Sequence, residues 1–255
     1  VSLASFDLTD RVALVTGSSR GLGYVLARGL ARAGATVVLN GRNESRLTEA
    51  VEDLAAEGLS AGSSSFDITD EAAVAPAIAE LRSRYGGIHI LVNNAGIQQR
   101  ASLEEFPETD WRRLIEINLT GAFIVSKQVA QGMIAAGGGK IINICSLQSE
   151  LGRNTIAPYA ASKGGLKMLT KGMAVDWAQH NIQVNAIGPG YFITEMTKPL
   201  AEDRAFDSWL RGRTPSGRWG DPDELIGALL LFASAASSYI NGQILYVDGG
   251  LMSAI

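Results

Sequence analysis

Val12-Ala13-Leu14-Val15-Thr16-Gly17-Ser18-Ser19-Arg20-Gly21-Leu22-Gly23 runs directly into Tyr24-Val25-Leu26-Ala27-Arg28-Gly29-Leu30. A short apolar run gives way to a glycine-rich turn, and the turn to residues with helical periodicity, which predicts a strand, a turn and a helix in succession. Glycines let the backbone turn sharply and approach a pyrophosphate, while the helix N-terminus offers unpaired N–H groups and about half a positive charge. The spacing is G-x3-G-x-G and differs from the usual dinucleotide fingerprint G-x-G-x-x-G; read alone, it fits a tight turn with no ligand equally well. Its place between a first strand and a first helix decides for a nucleotide, with Gly17, Ser19, Arg20, Gly21, Leu22 and Gly23 as the expected contacts.

Outward from this turn, short apolar runs recur over residues 12–16, 36–40, 88–93, 140–145, 182–187 and 243–247, with a weaker one over 63–66. Runs that are apolar throughout belong to strands covered on both faces. Helical patterns lie between them, over 22–33, 44–57, 70–84, 110–133 and 159–178, most of them stopped by glycine. The expectation is a single α/β domain over 1–255: a Rossmann fold with a doubly wound, seven-stranded parallel sheet and helices on both faces. The irregular stretch 188–220 is expected to be a lid over the active site.

Composition narrows the partners. The 255 residues are 46% hydrophobic and 19% charged, enough for a core, and 22 Lys plus Arg against 26 Asp plus Glu give a net charge of -4. That balance argues against nucleic acid or an anionic membrane as partner. Cys145 is the single cysteine, so an intrachain disulfide is excluded, and with two histidines a usual four-ligand zinc site is not expected. The first ten residues lack a basic stretch followed by an apolar core, and the longest nearly apolar run, 225–236, is too short to span a bilayer. A cytoplasmic protein is expected.

The second strand ends Leu39-Asn40-Gly41-Arg42, with no carboxylate to receive a ribose 2'-hydroxyl. Arg42 and Arg20 can instead pair with a 2'-phosphate, which favours NADP(H) over NAD(H), although two solvated surface arginines would look the same. Tyr159 and Lys163 are four residues apart at a helix start and so share a face. Ser146 follows the run 140–145 at the carboxyl end of a strand, where open α/β sheets bind ligands. Asn118 interrupts a predicted helix as a poor helix former, compatible with a functional role. His89, His180 and Cys145 are read as structural.

Thr16-Gly17-x3-Gly21-x-Gly23, Asn93-Asn94-Ala95-Gly96, Asn118, Ser146, Tyr159-x3-Lys163 and Pro189-Gly190-x3-Thr194, in this order and spacing, resemble the short-chain dehydrogenase/reductase family along essentially the whole chain. The segments 94–100, 145–153 and 190–196 further resemble members acting at C5 of gluconate. The resemblance implies Tyr159 as catalytic acid/base, Ser146 as the donor orienting the substrate oxygen, Lys163 as partner of the tyrosine and the nicotinamide ribose, and Asn118 as part of a proton relay. It also implies Asp67 and Ile68 at the adenine, Asn94, Ala95 and Gly96 at the adenine ribose region, and Pro189, Gly190, Phe192 and Thr194 beside the nicotinamide, with Asn40 and Arg42 at the far ribose. A homotetramer is implied as well.

A polyhydroxy acid needs a cation for its carboxylate, for which Arg100 and then Arg153 are the candidates, with Gln98, Gln148 and Glu150 for hydroxyls. Tyrosine ionises near 10, so acting as a base near neutrality asks for about 3 to 4 kcal/mol. A cation about 5 Å away at an effective dielectric of 20 supplies roughly 3 kcal/mol, the part expected of Lys163 with an oxidised nicotinamide. The competing readings are reduction of a 3-ketoacyl thioester or another polyol, and a nucleotide sensor that has lost catalysis.

Overall fold

The computed structural model describes residues 3–195 and 197–254. Met196, the last residue of the segment 190–196, lies outside them, as do Val1, Ser2 and Ile255. The elements follow in the order β1 (Val12–Val15), α1 (Gly21–Arg32), β2 (Thr36–Gly41), α2 (Glu44–Ala56), β3 (Ala61–Ser65), α3 (Glu71–Tyr85), β4 (Ile90–Asn93), α4 (Glu108–Ile115), α5 (Gly121–Ala136), β5 (Gly139–Ile144), α6 (Ala157–Trp177), β6 (Ile182–Pro189), α7 (Lys198–Glu202), α8 (Arg204–Arg213), α9 (Ile226–Ala233) and β7 (Ile244–Val247). The strands form one parallel sheet ordered β3-β2-β1-β4-β5-β6-β7. Chain direction across the sheet reverses between β1 and β4, which opens a crevice at the carboxyl ends of those two strands.

Alternate residues of β1, β2, β4, β5 and β6 feed two cores, which is why these strands read as unbroken apolar runs. Ala13, Val15, Val37 and Leu39 pack with Leu26, Leu30, Leu229 and Phe232 on one face. Leu14, Val38 and Ile141 pack with Ile78, Val125 and Met133 on the other. Helix α1 lies so close to α9 that a Cβ at Gly29 would sit 2.4 Å from Ile226 Cδ1.

Three expectations about elements are corrected. The helix predicted over 110–133 is two helices, α4 and α5, joined by a π-helical turn at Glu116–Thr120 that contains Asn118. The stretch 188–220 is not irregular throughout: α7 and α8 lie within it, α8 started by the Asp203 carboxylate, which accepts from Ala205 and Phe206 N–H. The weak strand begins earlier than residue 63, at Ala61, because its register is set by main-chain pairing with β2 and its small residues carry no apolar pattern. Cys145 and His89 sit just outside the strand ends; Cys145 is buried, and His89 Nδ1 accepts from Val12 N–H at 3.0 Å. No helix among the described residues is long and apolar enough to cross a membrane.

Candidate active site

The crevice is an open cleft of about 740 Å³. Its floor at one end is the turn between β1 and α1. Gly17 has φ +62°, and a Cβ there would lie 2.8 Å from Ala95 Cα; at Gly23 a Cβ would lie 2.4 Å from Gly17 O. Around Gly21, by contrast, no atom lies within 4 Å of a built Cβ. Helix α1 starts at extended Arg20 with no side-chain cap, so its first-turn N–H groups face the cleft without an internal acceptor. This is a cradle shaped for phosphate oxygens.

The turn is held from behind by asparagines. Asn94 Nδ2 donates to Thr16 O at 2.9 Å and Gly17 O at 3.0 Å, and Asn94 and Ala95 N–H donate to Thr16 Oγ1. Asn40, 1% exposed, donates through Nδ2 to Ser64 O and Phe66 O and accepts from Gly17 N–H at 3.4 Å. Both line the cleft, yet their amide N–H groups are used within the protein. Arg42 and Arg20 stand exposed at the mouth in ion pairs, Arg42 with Asp67 at 3.4 Å and Arg20 with Glu195 at 3.0 Å. Exposed pairs of this kind contribute about 0–1 kcal/mol, so an incoming phosphate can displace them.

At the other end Ser146, Tyr159 and Lys163 line the same cleft. Ser146 Oγ donates to Gln148 Oε1 at 2.6 Å and accepts from Gln148 N–H. Lys163 is 4% exposed, donates from Nζ to Ile144 O at 2.7 Å, and has Nζ 5.8 Å from the centre of the Tyr159 ring. Burial lowers the pKa of this lysine, and burial pushes Tyr159 up to about 12, with the Ser146 hydroxyl acting in the opposite direction. In the protein alone, desolvation of the phenol outweighs the hydrogen bond from Ser146.

Asn118 does not line the cleft. Its Oδ1 accepts from Ile97 N–H at 2.8 Å, and its Nδ2 donates to Ile97 O and to Ser162 Oγ, which donates to Tyr159 O at 2.7 Å. The π-helical turn thus places Asn118 between the β4 loop and α6, behind the wall. With Glu150 apart, every other residue expected to touch cofactor or substrate lines the cleft: Asp67, Ile68 and Gly96 beside the glycine turn, Pro189, Gly190, Phe192 and Thr194 beyond β6, and Gln98, Arg100, Gln148 and Arg153 near Tyr159.

Glu150 does not. It accepts from Lys167 Nζ and, at 3.0 Å, from Tyr246 OH, so it ties the turn after Ser146 to α6 and β7. Arg46 and Tyr191 line the cleft and were not expected there. Arg46 was findable, four residues beyond Arg42 in the first turn of α2; Tyr191 lies inside the segment 190–196 but its role depends on the fold of the loop.

The chain matches the short chain dehydrogenase family over residues 11–205 and belongs to it. Within that family it is 54% identical over 246 residues to a gluconate 5-dehydrogenase of Gluconobacter oxydans (strain 621H), covering 96% of each chain. It is 51% identical over 250 residues to a 5-keto-D-gluconate 5-reductase of Escherichia coli (strain K12), covering 98% of each. A crystal structure of a gluconate 5-dehydrogenase from Burkholderia cenocepacia J2315 in complex with NADP and tartrate superposes with a TM-score of 0.96 at 55% identity, covering 98% of both chains.

Proposed function

We propose that the chain transfers hydride between NADP(H) and C5 of D-gluconate and 5-keto-D-gluconate, with NAD(H) as a weaker alternative cofactor. The observation that carries this is the convergence of Ser146, Tyr159 and Lys163 with Arg100 and Arg153 on one cleft that also contains the glycine cradle. The named relatives support the same substrate and cofactor.

A bound nicotinamide supplies or accepts the hydride. Tyr159, raised to about 12, keeps its proton at neutral pH and is poised to protonate a ketone oxygen as it becomes an alcohol. Ser146 orients that oxygen, which takes the hydroxyl hydrogen now directed to Gln148. Lys163 stands beside the phenol and carries positive charge toward it and toward the cofactor ribose. Asn118 acts from behind through Ser162 and the Tyr159 main chain. Arg20 and Arg42 receive the 2'-phosphate, Asp67 and Ile68 the adenine, and Phe192 and Thr194 the nicotinamide side. Arg100 and Arg153 hold the substrate carboxylate, and Gln148 its hydroxyls.

The stretch 188–220 serves as lid: Glu195 reaches the glycine turn through Arg20. A cytoplasmic homotetramer is the assembly we infer, supported by apolar side chains left exposed on α5 (Phe123 and Ile134) and, seven residues apart, on α6 (Met168 and Val175). Steady-state rates on a panel of keto-acids and ketones with NADPH and NADH test the function. Reduction of 5-keto-D-gluconate with NADPH is expected; turnover of an acetoacetyl thioester with none of 5-keto-D-gluconate would reject the substrate.

A further inference from the structure

We propose that Phe206 is a positioning residue for substrate charge: with the Tyr191 hydroxyl, its ring holds the Arg153 guanidinium in the cleft in place of a carboxylate counter-ion, leaving that charge for the substrate. This rests on the proposed sugar-acid substrate. Arg153 is half-buried in the cleft wall, and its Nη1 donates to Tyr191 OH at 3.1 Å. Its Cζ lies 4.6 Å from the centre of the Phe206 ring. Among the described residues no carboxylate lies within 4 Å of it, whereas Arg28, Arg42, Arg112 and Arg218 each have one.

The carboxylates close to this group in the chain are held elsewhere. Glu150 accepts from Lys167 and Tyr246. Asp207, next to Phe206, accepts from Arg211 Nε and from Trp219 Nε1 at 2.7 Å. An aromatic face attracts and orients a guanidinium without cancelling its charge, while a carboxylate would cancel it and compete with an anionic substrate. The ring is itself fixed, with centroids 5.6 Å from Tyr191, 5.2 Å from Trp209 and 6.1 Å from Trp219. Ala101 N–H donates to Thr155 O at 3.2 Å, so the Arg100 loop is tied to the loop that follows Arg153 and both cations serve one region. Phe206 does not line the cleft, and it acts through Arg153.

The test uses protein loaded with NADPH, which cannot accept hydride from gluconate, titrated by calorimetry with D-gluconate and with D-glucitol, its uncharged counterpart. Phe206→Leu should weaken gluconate about three- to tenfold and leave glucitol within about twofold, and Phe206→Tyr, which keeps a ring, should restore gluconate affinity. Tyr191→Phe removes only the hydroxyl that Arg153 meets and should show the same selective loss, which covers a Leu variant that fails to fold. Unchanged gluconate affinity in both variants, or equal loss for both ligands, would overturn the proposal. Wild-type protein that binds gluconate but does not reduce 5-keto-D-gluconate would sink the substrate reading separately.

Discussion

Tyr159 keeps its proton because burial penalises the phenolate more than Ser146 stabilises it, and this sets the direction of its pH dependence. Ketone reduction needs the protonated phenol, so its rate should hold from neutral to mildly alkaline pH and fall as the phenol ionises; alcohol oxidation needs the phenolate and should rise with pH. Rate profiles in both directions check the sign, and a reduction rate that climbs with pH would remove Tyr159 from the acid role. Tyr159→Phe should lower turnover at least about a hundredfold while the dissociation constant of NADPH stays nearly unchanged. Arg100, whose pKa burial and the Arg153 charge both lower, has no carboxylate within 4 Å among the described residues. Arg100→Ala should raise KM for 5-keto-D-gluconate more than tenfold, over about 1.4 kcal/mol, and barely change that of an uncharged ketone. Sequence spacing located both arginines near the strand ends but mistook Glu150 for a substrate contact, because its partners Lys167 and Tyr246 come from α6 and β7, 17 and 96 residues away.

The glycine turn was readable as an element, since strand, glycines and helix are contiguous. What holds it was not, because Asn94 and Asn40 reach it only through the sheet order. Gly17→Ala would place a Cβ 2.8 Å from Ala95 Cα at a positive φ. It should cost about 1–3 kcal/mol in urea unfolding and weaken NADPH as well. At the mouth, Arg20→Ala with Arg42→Ala should weaken NADPH far more than NADH, less so at high salt; equal loss for both cofactors would leave the arginines structural. The π-helical turn at Glu116–Thr120 had only one sequence signal, a poor helix former at Asn118, since its extra residue per turn is stabilised by contacts with Ile97 and Ser162 from other segments. Helices α7 and α8 were hidden by their short length and by the prolines around them.

At the scale of the whole molecule, six apolar runs and a weaker seventh were enough to expect a parallel sheet, because the central strands β1, β2, β4, β5 and β6 each feed both cores. The strand order was not visible in any one run, yet it is the reversal between β1 and β4 that brings the glycine turn, Ser146, Tyr159 and the arginines to one crevice. That convergence makes hydride transfer to a polyhydroxy keto-acid the chemistry the fold is built to position. The direct measurement is turnover of 5-keto-D-gluconate with NADPH carrying deuterium at C4 of the nicotinamide, on the face from which hydride leaves, and NMR of the product. Deuterium at C5 of D-gluconate is the predicted result, and unlabelled product, label on another carbon, or no turnover with either C4-labelled form of NADPH would contradict it.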